Sequence, residues 1–229
     1  MLKIKNLSFA FGKKSIFNDI GLSFEEGQIT GIVGKNGVGK TTLFRIMTGI
    51  YNQQSGEINL REQRLKPSDI SFMPTEPYFY PYMKGREYLE IVASTDVEKM
   101  KSRHYASFMD LPLDELVDNY STGMRKKLAF SALFALDKPI IILDEPYNGV
   151  DLDGNEIIKH IIKSDKSEKI VILSSHILST ITDVSENIYH ITEYSNIDHY
   201  RSDEFGLLQS ALQTNMANKL SQLDIPNRK

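Results

Sequence analysis

A glycine-rich loop between a short apolar strand and a helix is the feature that most constrains this chain. Residues 34–41 read GKNGVGKT, which is the spacing of a P-loop, where glycines let backbone N–H groups curl around a phosphate. Residues 28–33 (QITGIV) predict the strand before it, and residues 41–48 predict the helix after it. The start of that helix directs its positive dipole end at the same anion. We therefore expect the phosphates of a nucleotide to bind here.

Two side chains of the loop have predicted roles of their own. Lys40 can reach the β- and γ-phosphates, and the Thr41 hydroxyl can be a ligand of Mg²⁺. An ordinary glycine-rich turn is the alternative interpretation, and the flanking strand and helix disfavour it. The predicted nucleotide-binding residues are Gly34, Lys35, Asn36, Gly37, Val38, Gly39, Lys40, Thr41 and Thr42.

An apolar segment that ends in two acids gives the second candidate site. Residues 140–146 read IIILDEP, which predicts a buried strand with Asp144 and Glu145 at its carboxyl end. Ligands of parallel α/β sheets bind at that edge. We expect Asp144 to hold Mg²⁺, through water, and Glu145 to be the general base for an attacking water. Read alone, the two acids could equally open a surface loop.

Two weaker motifs complete the set of candidate residues. Ser121 precedes a predicted helix and can be its N-cap, while the small Gly123 would leave backbone N–H groups open to a second anion. His176 follows a predicted strand at residues 169–173 and could reach a γ-phosphate. Read alone, each is more often structural, as a simple helix start and as a satisfied histidine.

The alternation of strands and helices predicts an α/β fold with a parallel core sheet. Residues 2–24 alternate in polarity and break at Gly12, which predicts an N-terminal antiparallel β sub-domain. Residues 86–136 are mostly helical in pattern and predict an inserted helical sub-domain. We expect a single domain with these parts: a β sub-domain and P-loop core (1–75 and 137–195), a helical sub-domain (about 76–136) and a C-terminal helical tail (196–229).

Composition excludes several classes of protein. The 229 residues include no cysteine, which removes disulfides, thiolate metal sites and cysteine nucleophiles. The formal net charge of -3 argues against a general nucleic-acid binder. No apolar run approaches the roughly 20 residues that span a bilayer, and the N-terminus lacks the apolar region of a secretory signal. We therefore expect a soluble, cytoplasmic chain that reaches a membrane only through a partner.

Taken together, the motifs occur in one fixed order, and that order resembles the nucleotide-binding domain of ABC (ATP-binding cassette) ATPases. The resemblance extends from about residue 2 to about residue 190. The motifs that carry it are the P-loop, Ser-Thr-Gly-Met at 121–124, Leu-Asp-Glu-Pro at 143–146, Asn-Gly-Val-Asp at 148–151 and Ser-Ser-His at 174–176.

The resemblance implies ATP as the nucleotide and a role for each motif. Phe11 falls where the family stacks an aromatic ring on adenine, although it could equally be a core or hairpin aromatic. Asp151 would contact a second ABC subunit, identical or different, and His176 would sense the γ-phosphate. Two subunits would sandwich two ATP molecules head to tail. The signature residues, which would cap the ATP of the opposite subunit, are Ser121, Thr122, Gly123 and Met124.

The chain departs from the family pattern in two places. The signature is usually Leu-Ser-Gly-Gly-Gln, and here Tyr120 begins a Tyr-Ser-x-Gly-Met form that resembles exporter ATPases whose membrane subunit is a separate chain. The family usually has Gln after the strand at residues 70–73, whereas Thr75 stands here with Glu76 next to it. Either residue could replace the glutamine oxygen as a Mg²⁺ ligand.

The resemblance implies an ATPase that energises a separate integral membrane permease, most simply for export, from the inner face of the cell membrane. The aromatic run at residues 78–82 would be the docking groove for a short permease helix, or else a loop folded onto the helical sub-domain. Three alternatives remain: a non-transport ABC ATPase acting on ribosomes or DNA, a nucleotide-binding module with little hydrolysis, and an unrelated P-loop kinase or GTPase. The sequence indicates neither the transported substrate nor the identity of the second subunit.

Overall fold

The computed structural model describes residues 1–192 and 196–221, and no helix in those ranges is long and apolar enough to cross a membrane. Its strands are β1 (Leu2–Phe11), β2 (Lys14–Phe24), β3 (Ile29–Val33), β4 (Ser55–Leu60), β5 (Gln63–Arg64), β6 (Ile70–Met73), β7 (Ile140–Asp144), β8 (Ile170–Ser175), β9 (Asn187–Ile191) and β10 (Ile197–Arg201). Its helices are α1 (Lys40–Met47), α2 (Gly85–Val92), α3 (Asp96–Phe108), α4 (Thr122–Phe134), α5 (Leu152–Ser164), α6 (Leu178–Thr182) and α7 (Phe205–Ser221).

The strands form two sheets. The antiparallel sheet has the order β2–β1–β4–β5, and its first hairpin turns at Gly12, as the sequence predicts. The larger sheet has the order β10–β9–β3–β8–β7–β6, and its strands from β9 to β6 run parallel. The predicted α/β fold, with a parallel core sheet and an antiparallel β sub-domain, is confirmed.

Strand β7 shows how the two faces of the core sheet are covered. Ile140 and Ile142 belong to a hydrophobic cluster that includes side chains of α1 and of the antiparallel sheet. Ile141 and Leu143 point the other way, into a cluster with side chains of α4 and α5. A strand of a parallel sheet is apolar on both faces because helices or a second sheet cover both of them. The core sheet is thus the middle layer of the molecule.

The parallel strands bring four carboxyl ends together at one edge of the core sheet. The P-loop leaves β3 at this edge, and Thr75 follows β6. Asp144 ends β7 and His176 follows β8. Because β3, β8, β7 and β6 are direct neighbours, residues far apart in the chain meet there.

The segment between β6 and β7 is helical, as the sequence predicts for residues 86–136. Helices α2, α3 and α4 enclose a small core of their own. Helix α4 also packs against the sheet, because Phe130 and Phe134 lie in the cluster beneath β7. Helix α4 therefore joins the inserted helices to the layer that carries the candidate site.

The predicted helical tail from residue 196 is wrong at its start. Ile197–Arg201 forms strand β10, which pairs antiparallel with β9, and the helix begins at Phe205. Ile197 packs against the cluster on one face of the sheet, and Tyr200 packs against the cluster on the other. Side chains on opposite faces, with few apolar residues between them, give no helical period in the sequence.

Helix α7 packs against the core with part of its length. Leu208 is fully buried and Leu212 packs beside it, whereas Leu207 is exposed. Residues 193–195, predicted as the end of the core, and residues 222–229, predicted as the end of the tail, lie outside the described part of the chain.

Candidate active site

The P-loop has the backbone of an anion-binding turn. Gly39 has a φ of +120°, where residues with a side chain rarely occur, and a Cβ there would lie 2.9 Å from Cζ of Phe17. Helix α1 begins directly after it, at Lys40, and among the described residues no side chain caps its first N–H groups. Those N–H groups are therefore available to phosphate oxygens.

Lys40 is held at the mouth of the loop. The side chain is 7 % exposed, and its Nζ donates to the carbonyl oxygens of Gly34 (2.7 Å) and Lys35 (3.3 Å). The same Nζ lies 3.8 Å from Oε1 of Glu145. Burial lowers the pKa of Lys40, and the carboxylates of Glu145 and Asp144 oppose that shift. If the ammonium turns from these carbonyls to a phosphate, Glu145 still keeps its hydrogen bond to His176.

Asp144 is completely buried and accepts three hydrogen bonds from hydroxyl groups. Its Oδ2 accepts from Thr41 Oγ1 (2.6 Å) and from Thr75 Oγ1 (2.8 Å). Its Oδ1 accepts from Ser174 Oγ (2.6 Å). One carboxylate and two threonine hydroxyls thus converge at the end of β7, and these are hard oxygen ligands of the kind that Mg²⁺ prefers.

Glu145 has its carboxylate fixed beside the P-loop. Its Oε2 accepts from the Nδ1–H of His176 at 2.8 Å and lies 3.4 Å from the backbone N of the same residue. Its backbone N–H donates to Ser174 Oγ at 3.0 Å. Glu145 is 9 % exposed and has a φ of +53°, which is uncommon for a residue with a side chain. A buried carboxylate oriented by a histidine is the arrangement that a general base needs.

Thr75 and Glu76 are the two residues that could replace the usual glutamine, and the geometry of the site distinguishes between them. The Thr75 hydroxyl bonds to the Asp144 carboxylate and faces the cavity. Glu76 is exposed and is not among the residues that line the cavity. Thr75 therefore brings the oxygen atom that the site receives from this loop.

These groups surround one cavity of about 370 Å³. Within the described ranges, Phe11, Gly34, Lys35 and Val38 of the predicted nucleotide contacts do not line it. The residues that do are Asn36, Gly37, Gly39, Lys40, Thr41, Thr42, Thr75, Asp144, Glu145, Asn148 and His176.

The signature segment lies outside this cavity. Ser121 caps α4, as predicted, because its hydroxyl accepts from the Met124 N–H at 3.2 Å. Gly123 lies so close to the following loop that a Cβ there would come within 2.5 Å of the Gly149 carbonyl oxygen. Ser121 and Thr122 are exposed to solvent, where a second molecule could contact them.

Asp151 has two contacts within its own subunit. Its Oδ1 accepts from the Gly154 N–H at 3.2 Å and caps α5. The same oxygen pairs with Lys127 Nζ at 2.7 Å, and this bond lowers the pKa of the Asp151 carboxyl group. The side chain remains 64 % exposed, so it is also accessible to a neighbouring subunit.

Phe11 is half-exposed and belongs to a group of aromatic rings. Its ring packs edge-on against Phe9 (4.9 Å between centroids) and against Tyr51 (5.4 Å). These contacts hold the ring in place with much of its surface in solvent. Its predicted stacking on adenine stays a prediction.

Two residues of the site received no role in the sequence analysis, although both lie within its motifs. Ser174 joins Asp144 to the Glu145 backbone through its hydroxyl, and Asn148 lines the cavity. The signal for Ser174 was present, because a serine at the end of a buried apolar strand needs a hydrogen-bond partner.

The anion loop, the two buried acids at the end of β7 and the inserted helices together define a P-loop ATPase of the cassette type. Comparison with family models agrees: residues 17–148 match the ABC transporter family, and the chain belongs to that family. The lantibiotic transport ATP-binding protein SrtF of Streptococcus pyogenes is 31 % identical over 201 residues, covering 84 % of this chain and 87 % of SrtF.

Solved structures show the same fold. One ATP-binding subunit of an ABC transporter matches with a TM-score of 0.84 at 21 % identity, covering 95 % of this chain and 99 % of the other. A dimeric ATP-binding cassette, bound to ADP and phosphate after hydrolysis, matches with a TM-score of 0.76 at 19 % identity, covering 88 % and 99 %. The chain is thus an ATP-binding subunit, and ATP hydrolysis is the general activity of its family.

Proposed function

We propose that this chain hydrolyses ATP to energise a separate membrane permease, and that it does so in export. The observation that carries the hydrolytic part is the hydrogen bond between Glu145 and His176 beside the P-loop. A carboxylate fixed there can accept a proton from a water molecule that attacks the γ-phosphate. SrtF is a lantibiotic transport ATP-binding protein, and its similarity to this chain supports a role in transport here.

The oxygen ligands beside the P-loop fit Mg²⁺. Thr41, Thr75 and Asp144 would hold the ion, with water and phosphate oxygens as the other ligands. Bound with ATP, Mg²⁺ supplies positive charge that neutralises the β- and γ-phosphate oxygens. The hydroxyl of Thr75 replaces the usual glutamine oxygen, which favours a hydrolytic subunit over a module that only binds nucleotide.

The side chains that line the cavity would have different roles in hydrolysis. Lys40 and the loop N–H groups bind the phosphates and stabilise the charge that develops as the γ-phosphoryl group leaves. Glu145 takes the proton of the attacking water, and His176 holds the carboxylate in the required direction. Most of the rate enhancement then comes from position and charge.

Two subunits complete two sites. The signature of one chain, from Ser121 to Met124, would cap the γ-phosphate bound to the P-loop of the other. The exposed position of this segment, outside its own cavity, supports that arrangement. ATP would close the pair, and hydrolysis would open it again.

The aromatic loop after Thr75 is the proposed contact with the permease. Tyr78, Tyr80 and Tyr82 are 72 %, 61 % and 82 % exposed. Phe79 anchors the loop, because its ring packs 4.6 Å from that of Tyr88. Exposed aromatic side chains on a fixed loop suit a short amphipathic helix of a membrane partner. The chain would then be peripheral on the cytoplasmic face of the membrane.

Mg²⁺-dependent ATP hydrolysis by the purified chain tests the catalytic part. Glu145→Gln should abolish turnover, while ATP binding and an ATP-dependent dimer on size exclusion remain. Glu168→Gln removes an exposed carboxylate at the opposite end of the core sheet and should match the wild type. If the wild-type chain binds ATP but neither hydrolyses it nor dimerises, this function is contradicted.

A further inference from the structure

A buried lysine of α4 contacts the backbone of the proposed general base. Lys126 is 3 % exposed, and its Nζ donates to the carbonyl oxygen of Glu145 at 2.7 Å. Within residues 1–192 and 196–221 its ammonium group forms no salt bridge. Three carboxylates, from Glu145, Asp144 and Glu76, attract it from a greater distance. The lysine is thus a buried cation whose hydrogen bond goes to a neutral acceptor.

Packing alone does not explain a lysine at this position. Removing an ammonium group from water is costly, and burial lowers the pKa of Lys126 as the main cause of its shift. A methionine has similar length and would fill the same space without that cost. The physical reason for the charge therefore lies in the group that it holds.

That group is a backbone segment in an uncommon conformation. Glu145 has a φ of +53°, which persists only where neighbouring contacts hold it. Its N–H donates to Ser174 Oγ (3.0 Å), and its carbonyl oxygen accepts from Lys126. The backbone N–H and carbonyl groups of Glu145 are therefore both held by hydrogen bonds, and these bonds direct its side chain towards His176.

We propose that Lys126 is a positioning residue for ATP hydrolysis, which orients the Glu145 carboxylate by holding its backbone carbonyl. This inference rests on the proposed role of Glu145 as general base.

The position of Lys126 on α4 gives this contact a second consequence. The same helix begins at the signature, and its next residue, Lys127, pairs with Asp151. Gly123 packs against the carbonyl of Gly149. The first turns of α4 thus contact the loop of residues 145–151 at three points. The start of α4 would therefore contact the ATP of the opposite subunit and also orient the general base of its own subunit.

Lys126→Met tests the role of this hydrogen bond. The variant should fold with a melting temperature equal to or above that of the wild type, because a buried charge is removed. Its KM for ATP should stay unchanged, whereas kcat should fall about 10- to 100-fold, the loss that misplacement of a reacting group produces. Slow hydrolysis should also let an ATP-stabilised dimer accumulate in MgATP.

Lys169→Met is the matched control. Lys169 is 9 % exposed, pairs with Asp165 at 3.2 Å and precedes β8 at the edge of the sheet opposite the site. Its replacement also removes a buried ammonium group, here one that pairs with Asp165, and should leave kcat unchanged. A fall in kcat common to both variants would overturn the inference.

Other results would also contradict the inference. A folded Lys126→Met variant with wild-type kcat overturns the inference, and so does a loss of kcat together with ATP binding. If the methionine variant does not fold, Lys126→Gln removes the same contact, since the glutamine amide is too short to reach the Glu145 carbonyl. An unchanged kcat in that variant would also contradict the inference. Glu145→Gln is measured in parallel, because it separates the failure of this inference from the failure of the proposed function. Full ATP turnover by Glu145→Gln would contradict the proposed function itself. An inactive Glu145→Gln variant beside a Lys126→Met variant with wild-type kcat would contradict only the role of Lys126.

Discussion

At the scale of single residues, the surroundings of Asp144 determine what the site can bind. Three hydroxyl groups, from Thr41, Thr75 and Ser174, donate to its two carboxylate oxygens. Hydroxyl donors satisfy a buried carboxylate without neutralising its charge. A cation that binds at this carboxylate would also meet the two threonine hydroxyls, which can turn their lone pairs towards the same ion.

Thr75→Val tests whether this loop contributes a metal ligand. Valine keeps the shape of threonine and removes the hydroxyl, so the MgATP site should lose one oxygen contact. We expect the Mg²⁺ concentration for half-maximal ATP hydrolysis to rise about 2- to 10-fold, the equivalent of about 0.5–1.5 kcal/mol for one polar contact. Thr75→Ser restores the oxygen and should restore the wild-type value. An unchanged Mg²⁺ dependence in the valine variant would show that Thr75 is not a ligand.

Phe11→Ala tests the predicted stacking on adenine. Loss of a half-exposed ring should raise the KM for ATP about 2- to 10-fold, since aromatic contacts contribute about 0.5–1.5 kcal/mol, and should leave kcat unchanged. Phe108→Ala removes a similarly exposed aromatic ring from α3 and should change neither constant. If KM is the same in both variants, Phe11 is only part of the ring group with Phe9 and Tyr51.

At the scale of elements, the start of α4 and the loop after β7 form one unit. Gly123→Ala should separate them, because the new Cβ would lie 2.5 Å from the Gly149 carbonyl oxygen. We expect ATP binding to persist, measured with a fluorescent nucleotide, and both ATP-dependent dimerisation and hydrolysis to be lost. Gly206→Ala is the control, since a Cβ there meets no atom within 4 Å. Wild-type dimerisation by the Gly123 variant would show that this close approach is dispensable.

The β sub-domain contains an ion pair whose effect depends on pH. The Arg61 guanidinium, after β4, donates two hydrogen bonds to Glu26, after β2, and the N-terminal ammonium of Met1 donates a third. Arg61 first, and then the N-terminus, lower the pKa of that carboxyl group to about 2. A lowered pKa in the folded state stabilises the protein at pH values above the unfolded value of 4.5, and the effect is lost as pH falls from there towards 2. Because Arg61 is exposed, Glu26→Gln should reduce the free energy of unfolding by at most about 1 kcal/mol.

Urea denaturation at several pH values measures that difference. At pH 7 the Glu26→Gln variant should be less stable than the wild type, and the two curves should converge as the pH falls below 4.5. A difference that stays constant down to low pH would mean that the ion pair does not contribute through its charge.

The sequence predicts those elements whose burial pattern is simple. Residues 140–144 are apolar because both faces of β7 are covered, and the P-loop glycines mark the turn after β3. Strand β10 had no such signal, since Ile197 and Tyr200 pack on opposite faces among polar neighbours. A periodic pattern of apolar residues indicates a buried face, so an edge strand with only two apolar contacts is not predicted from such a pattern.

At the scale of the whole molecule, the order of strands in the sheet assembles the site. Thr41 and Asp144 are 103 residues apart in the chain, yet Thr41 Oγ1 lies 2.6 Å from Asp144 Oδ2 because α1 and β7 meet at one edge of the sheet. The motifs predicted that meeting, since acids and glycines at strand ends have a known place in parallel sheets. The contact of Lys126 with Glu145 was not predictable in this way. A lysine on a helix is normally solvated, and only the packing of α4 against the core buries this one.

The two-subunit arrangement predicts how activity depends on the concentration of the chain. If each site needs the P-loop of one subunit and the signature of another, ATP hydrolysis per chain should rise with protein concentration and level off when dimers predominate. Nucleotide binding per chain, measured in Mg²⁺-free buffer with a fluorescent ATP analogue, should not change, since the P-loop cavity lies within one subunit. Activity per chain that stays constant far below the dissociation constant of the Glu145→Gln dimer would contradict the shared site. It would place catalysis in a single subunit, with Lys40, Glu145 and His176 sufficient on their own.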